Sequence, residues 1–301
     1  MEHAHPHPTP KNYTLAFAIG TALNVVFVIV EAIFGFLSNS LALIADAGHN
    51  LGDVLALLLS WCATYLAQRK PTLTKTYGLR RGTILAAFVS SLILLMTMSI
   101  VAWEAIGRFT TENEVNSLTI IIVAAIGVVI NTITALLFLS SQHEDLNIRA
   151  AFIHMAADAG VSLGVVIGGI AIMFTGLFWI DSAISLVIVA VIVIGTWGVF
   201  RDSFNLALDG VPKGIDVEEV RTFILQQDGI SEIHDLHIWA MSTTQVALTA
   251  HLVRDTTMID DNFLYKLSKE LQERFNIIHP TIQIESGQQA HLCDQAHHDS
   301  V

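Results

Sequence analysis

The chain has 301 residues, 53% of them hydrophobic and only 14% charged, with a mean hydropathy of +0.59. Soluble proteins average about 25% charged residues, so the composition excludes a disordered chain and argues against an ordinary soluble globule. A net charge of −12 excludes a nucleic-acid partner, and two cysteines, Cys62 and Cys293, are too few for a disulfide framework.

Six apolar stretches follow one another in the first two thirds, at roughly 14–37, 41–67, 82–107, 116–140, 150–175 and 179–200. A hydrocarbon core of about 30 Å needs about 20 helical residues at 1.5 Å each, so each stretch predicts a spanning helix. The first is too long for the apolar part of a cleaved signal peptide and is not preceded by a cluster of bases. Between the second and third stretches lie Arg69, Lys70, Lys75, Arg80 and Arg81. Lys11, Arg149 and Arg201 fall on the same side, and Arg108 alone falls on the other. Positive charge marks the cytoplasmic face. Both termini are therefore expected in the cytoplasm, where two thiols stay reduced. In a bacterium the membrane would be the inner one.

From Ser203 onward the chain carries 15 acids and 6 bases, a net of −9, against −3 for the first 202 residues. Asp216 precedes a helical stripe of Val217, Val220, Phe223 and Ile224, with Gly229 expected as its cap. Ile233 to Met241 and Gln245 to Arg254 predict a hairpin. Phe263, Leu264, Leu267 and Leu271 form a second helical stripe, and Ile277 to Glu285 predicts a third strand with Ile278, Ile282 and Ile284 on one face. The expected architecture is a polytopic α-helical membrane protein with six transmembrane helices, followed by a small cytoplasmic α/β domain of order αββαβ, ferredoxin-like in its layers. The expected divisions are a His/Pro-rich N-terminus (1–13), the membrane domain (14–202), the cytoplasmic α/β domain (203–286) and a flexible His/Cys tail (287–301).

One motif recurs. Ala45-Asp46-Ala47-Gly48 with Leu51-Gly52 is echoed by Ala157-Asp158-Ala159-Gly160 with Leu163-Gly164. The echo reads either as an internal transporter repeat or as small residues that let helices pack closely.

Ionisable groups inside a bilayer cost about 2.5–3.5 kcal/mol each on insertion scales, yet Glu31, Asp46, His49, Asp53, Glu104, His154, Asp158 and Asp181 lie in or near the spans. No lysine or arginine sits mid-span to neutralise them, which leaves a bound cation or protons. His49 and Asp53 are four apart, as are His154 and Asp158. Residues at i and i+4 share a helical face, so two facing helices offer two imidazoles and two carboxylates to one point. Four such ligands suit tetrahedral zinc; calcium and magnesium want more oxygens. The bland alternative is that hydrogen bonds to neighbouring helices satisfy these groups. Asp46, one turn before His49, is either an additional ligand or an entrance carboxylate. Asn24, Glu31 and Asn131 either line the same cavity or bond between helices. Glu104 and Asp181 sit near span ends, where solvation at the interface is their expected role.

The spans, the two His-x-x-x-Asp pairs, Ser40-Leu41-Ala42-Leu43-Ile44-Ala45-Asp46-Ala47-Gly48-His49, His234-Asp235-Leu236-His237-Ile238-Trp239 and Thr281-Ile282-Gln283-Ile284-Glu285 resemble the cation diffusion facilitator family, in its zinc-handling bacterial branch and animal zinc-transporter relatives. The resemblance covers about Thr14 to Glu285. It implies a homodimer in the lipid bilayer that exports zinc from the cytoplasm in exchange for protons by alternating access. His49, Asp53, His154 and Asp158 fall on the family's transport site, where a histidine at position 49 favours zinc, with cadmium or cobalt as passengers. In the tail, the resemblance implies a second zinc site at His234, His251 and Glu285, with His237 and His279 nearby. Read from the sequence alone, His291, Cys293, His297 and His298 on the flexible end are further candidate ligands. It also implies a charge interlock between Arg81 and Asp209. The segment Gln68 to Arg81 has no histidine or acid, so a loop metal site found in some members is expected to be absent. His3, His5 and His7 are either weak zinc ligands or a solvated tip.

Two other functions compete with transport. An intramembrane zinc enzyme would need an open coordination position, and the chain has no His-Glu-x-x-His. A membrane metal sensor would not need acids in two helices at mid-span.

Overall fold

The computed structural model describes residues 14–110, 113–139, 146–254 and 261–286. Each of the six apolar stretches forms a helix: α1 (Thr14–Leu37), α2 (Leu41–Ala67), α3 (Gly82–Arg108), α4 (Ser117–Leu139), α5 (Leu146–Thr175) and α6 (Trp179–Ala207). Five are long and apolar enough to cross a membrane: Leu41–Ala67, Gly82–Arg108, Ser117–Leu136, Phe152–Thr175 and Trp179–Ala207. Ala22–Leu37 is a sixth, shorter apolar helix among the described residues. Their outer faces carry Trp61, Trp103, Phe174 and Ile194 largely exposed, as suits a surface solvated by lipid. The chain is an integral membrane protein.

Two helices outrun their apolar stretches. α5 begins at Leu146 rather than near 150, and α6 runs to Ala207 rather than 200. Apolarity marks where lipid ends, whereas a helix continues until its backbone bonding is broken. For α6 the break comes at Asp209, with φ 60, and Gly210.

The chain forms two compact units, one of Met1–Leu55 with Ile93–Thr196, the other of Ala56–Leu92 with Trp197–Val301. In the first, Phe27, Leu43, Met98, Ile120, Val165 and Ile188 form the core, with α4 packed on α5 and α1 on α4. Gly127 makes that approach possible: a Cβ there would lie 2.7 Å from Phe27 and 3.1 Å from the Ser162 hydroxyl. The repeated glycines differ in use. Added Cβ atoms at Gly48 and Gly52 would meet Met98 and Leu94 of α3, while at Gly160 and Gly164 nothing described lies within 4 Å. Close packing accounts for the first copy of the motif only.

In the second unit, α7 (Val217–Leu225) is capped by Asp216, whose carboxylate accepts from the backbone N–H groups of Glu218 and Glu219. The helix ends at Leu225, and Gly229 instead takes φ +80 in the turn into β1 (Ile230–Ala240). β1 pairs antiparallel with β2 (Val246–Arg254), which pairs in parallel with β3 (Ile277–Ser286) across α8 (Asp261–Phe275). This is the expected αββαβ order, with a sheet of order β1-β2-β3. Val220, Ile224, Ile233, Leu248, Leu252, Leu267 and Leu271 fill the core between sheet and helices. A register shift at Val246/Ala247 makes Ile277 the buried residue of β3, while Ile278 is only half-buried.

Candidate metal centres

α2 places His49 and Asp53 one turn apart, and α5 does the same for His154 and Asp158. The four side chains meet. His49 Nε2 lies 3.6 Å from Asp53 Oδ2 and 3.5 Å from Asp158 Oδ1. His154 Nε2 lies 3.1 Å from Asp53 Oδ2 and 3.7 Å from Asp158 Oδ2. The two rings stand edge to face with centroids 6.1 Å apart. Each imidazole thus touches its own helix's carboxylate and the other helix's. Burial is graded: the Asp158 side chain is 3% exposed and His154 44%, so one edge of the cluster is open. His49 Nδ1 and Asp158 Oδ2 have no hydrogen-bond partner among the described residues. Buried polar atoms normally find partners, so the bland reading, hydrogen bonds to neighbouring helices, leaves these two atoms unexplained. Two imidazoles, two carboxylates and no base form a donor set that fits a divalent borderline metal.

The remaining polar residues of the spans divide. Asp46 is fully buried and accepts from Ser162 Oγ at 3.0 Å; Glu31, also fully buried, accepts from Asn50 Nδ2 at 3.4 Å. Asn131 is fully buried with neither amide atom partnered among the described residues, and Asn24 Oδ1 is likewise without a donor. Glu104 is half-exposed and pairs with Arg108 at 3.0 Å, as a residue at an interface does. Asp181 departs from that expectation. It is 2% exposed and reaches from α6 to the start of α2, accepting from Ser40 Oγ at 2.6 Å, Leu41 N at 2.7 Å and Ala42 N at 3.4 Å. It caps the first N–H groups of α2 from another helix, beside Ser40, whose own Oγ accepts from Leu43 N at 3.3 Å. Sequence proximity gives no hint of a cap offered across about 140 residues.

In the tail, antiparallel pairing sets His234 of β1 opposite His251 of β2, and β3 brings Glu285 beside them. Glu285 Oε2 lies 3.5 Å from His234 Nε2, and its Oε1 3.0 Å from His251 Nδ1. One ligand atom from each of the three residues lies within 4.8 Å of the others. His234 is buried, yet neither ring nitrogen has a hydrogen-bond partner among the described residues. Buried polar atoms normally find partners, and the chemistry of the three residues fits a metal. Sequence reasoning missed Asp235. β1 bulges between His234 and His237, and Asp235 takes φ 52 there. The bulge directs its carboxylate to both His251 Nε2, at 3.6 Å, and His237 Nε2, at 2.8 Å. An aspartate between two strand histidines was the available signal. His279 lies apart from these contacts, its ring edge against Tyr77 with centroids 5.6 Å apart. His291, Cys293, His297 and His298, with His3, His5 and His7, lie outside the described residues.

Arg81 donates to the carboxylate of Asp209. Arg80 Nη1 donates to Gln245 Oε1 at 2.8 Å, and Thr243 N to Thr83 Oγ1 at 3.1 Å. The segment between α2 and α3 is thus strapped to the tail. A cavity of about 650 Å³ beside it is lined by Tyr77, Arg81, Asp209, His237 and Trp239 among others.

Comparison with known proteins agrees with the fold class. Residues 17–206 match the cation efflux transmembrane domain, and residues 212–287 match the cytoplasmic domain of cation efflux proteins. The chain is 36% identical over 295 residues to the metal cation efflux system protein CzcD of Cupriavidus metallidurans, covering 98% of this chain and 92% of the relative. It is 35% identical to the cadmium, cobalt and zinc/H(+)-K(+) antiporter of Bacillus subtilis, covering 98% and 95%. It is 33% identical to the zinc transporter ZitB of Escherichia coli, covering 95% and 93%. Among solved structures, the metal-bound C-terminal domain of the CzcD transporter from Cupriavidus metallidurans is 40% identical, covering 24% of this chain and 99% of that one, with a TM-score of 0.22. The chain belongs to the cation efflux family and is a metal cation transporter, not an enzyme.

Proposed function

We propose that the protein exports Zn2+ from the cytoplasm in exchange for protons by alternating access, with His49, Asp53, His154 and Asp158 as the transport site. The observation that carries this reading is the meeting of two His-x-x-x-Asp faces, each imidazole touching both carboxylates, in spans without a base. Zinc binds deprotonated ligands, so metal and protons compete for one set of atoms. Facing inward at cytoplasmic pH, the site loses protons and takes zinc; facing a more acidic outside, protonation of the imidazoles releases it. The names of the relatives support zinc first, with cadmium and cobalt as further cargo.

The protein works as a homodimer with both termini in the cytoplasm. The membrane domain is 14–202 and the metal-binding, dimerising domain 203–286, flanked by the segments 1–13 and 287–301. In the tail, His234, His251 and Glu285 hold zinc, with His237 close by through Asp235. Zinc there offsets part of the −9 that would drive two tails apart. Arg81 and Asp209 act as the interlock between the cytoplasmic loop and the hinge after α6.

The test uses purified protein in sealed vesicles loaded with a zinc dye, under an imposed pH gradient, with zinc, cadmium, cobalt, manganese and iron compared. Zinc flux is expected to follow the gradient and to vanish in Asp53→Ala and Asp158→Ala. Undiminished flux in both variants sinks the site.

A further inference from the structure

Two acids in the membrane interior belong to neither metal centre. Glu31 of α1 and Asp46 of α2 are fully buried, and Glu31 is held at 3.4 Å by Asn50, one turn from Asp46 on the same face of α2, which sets the two carboxyl groups side by side. Asn50 donates to one oxygen of Glu31, and Ser162 of α5 to one oxygen of Asp46. The other oxygens, Glu31 Oε1 and Asp46 Oδ1, have no donor among the described residues. Asn50 is 1% exposed with its amide on Glu31, and its own Oδ1 is unpartnered too. Neither α1 nor α2 contains a lysine or arginine, and α4, packed on α1, contains no charged residue. The other charged groups acting on the pair are His49 of α2 and Asp158 of α5.

Two ionised carboxylates are both pure acceptors. In a low-dielectric interior their contact is repulsive unless a cation sits on it. The unpartnered atoms are all oxygens, a hard donor set without imidazole, which suits zinc poorly. A proton fits without a coordination shell, because it turns one carboxyl into a donor to the other. We propose that Glu31 and Asp46, braced by Asn50 and Ser162, form a second cation site that carries one exchangeable proton beside the transport site. This rests on the antiport reading and assigns part of its proton traffic to residues that do not bind zinc. Asp46 precedes His49 by three residues, about 4.5 Å nearer the start of α2. With both termini cytoplasmic, that is the non-cytoplasmic side, from which protons arrive as zinc leaves.

The experiment is zinc flux in proteoliposomes for the wild type, Glu31→Gln and Asp46→Asn, which keep shape and remove the shared proton. Flux driven by a pH gradient is expected to fall about 10-fold or more in each variant. Zinc–zinc exchange at equal pH and zinc affinity by equilibrium dialysis are expected to stay within about 3-fold, and retained exchange also certifies folding. Gradient-driven flux within about 2-fold of wild type in both variants overturns the proposal. So does a joint collapse of flux and zinc affinity, which makes the pair part of the zinc site. Potassium or sodium gradients at constant pH are expected to drive no flux. If they drive flux that the variants lose, the site belongs to an alkali ion and the proton assignment falls. Wild-type protein that exchanges zinc but ignores the pH gradient refutes the antiport and this proposal together, and needs no variant to show it.

Discussion

Asp181→Ala removes the acceptor of the first two N–H groups of α2, which Ser40 does not replace, since its Oγ accepts only from Leu43 N at 3.3 Å. Two short bonds to the carboxylate are lost, from Ser40 Oγ at 2.6 Å and Leu41 N at 2.7 Å, along with a weak third from Ala42 N at 3.4 Å. Hydrogen bonds to charged groups are worth about 1.5–3 kcal/mol each, so the two short ones sum to about 3–6 kcal/mol. Ser40 and Leu41 are buried, and water does not replace the lost acceptor. Against this, removing a buried carboxylate relieves its own desolvation cost, which brings the net toward the lower end, about 3 kcal/mol. For a domain of about 150–250 residues each kcal/mol moves Tm by about 2–4 °C, so a fall of about 6–12 °C is expected. Tryptophan fluorescence during thermal unfolding in detergent measures it. Asp181→Asn should fall less far, because its amide oxygen can still accept from Leu41 N–H while its NH2 donates to Ser40 Oγ. Since α2 carries His49 and Asp53, zinc flux should drop as well. A shift below about 2 °C in the alanine variant would refute the idea that this cap positions α2.

Other consequences follow from the same geometry. His49→Asp leaves one imidazole and three carboxylates; zinc affinity should fall about 10-fold or more while manganese transport rises, as harder ligands favour harder ions, and competition between metals in vesicles measures this. In the full-length protein, His234→Ala or His251→Ala should lower the number of bound zinc ions without abolishing zinc flux; unchanged stoichiometry counts against the tail site. Zinc at that site should also be released on acidification, because protons compete with the metal for its ligand atoms, and equilibrium dialysis across pH reads it directly. Arg81→Asp should slow transport with little loss of stability, because an exposed ion pair is worth about 0–1 kcal/mol. Recovery in the double variant with Asp209→Arg would identify charge pairing as the cause, and failure to recover would remove it.

The sequence by itself determined the elements and the helix faces that carry the candidate ligands. An apolar run of about 20 residues has few fates other than a spanning helix, and a spacing of four puts His49 with Asp53, and His154 with Asp158, on one face whatever the helix packs against. The αββαβ order was legible because alternation and helical stripes are local properties of the tail. Helix ends were not: α6 continues past its apolar part to Ala207, and Gly229 serves the turn before β1 rather than the end of α7.

What only the tertiary structure decided are relations between distant residues. The bulge that aims Asp235 at His251 and His237 depends on the register of β1 against β2, and a shift of one residue in a strand reverses the direction of every side chain. Asp181 reads as a residue at an interface until the fold brings the first turn of α2 to its carboxylate. Asp46 reads as a further ligand or an entrance carboxylate, and Glu31 as a cavity-lining or interhelix residue; only packing brings the two together. The cost of an ion in lipid is set by residue type and so can be read along the chain; what relieves that cost is set by neighbours in space, and only the fold supplies them.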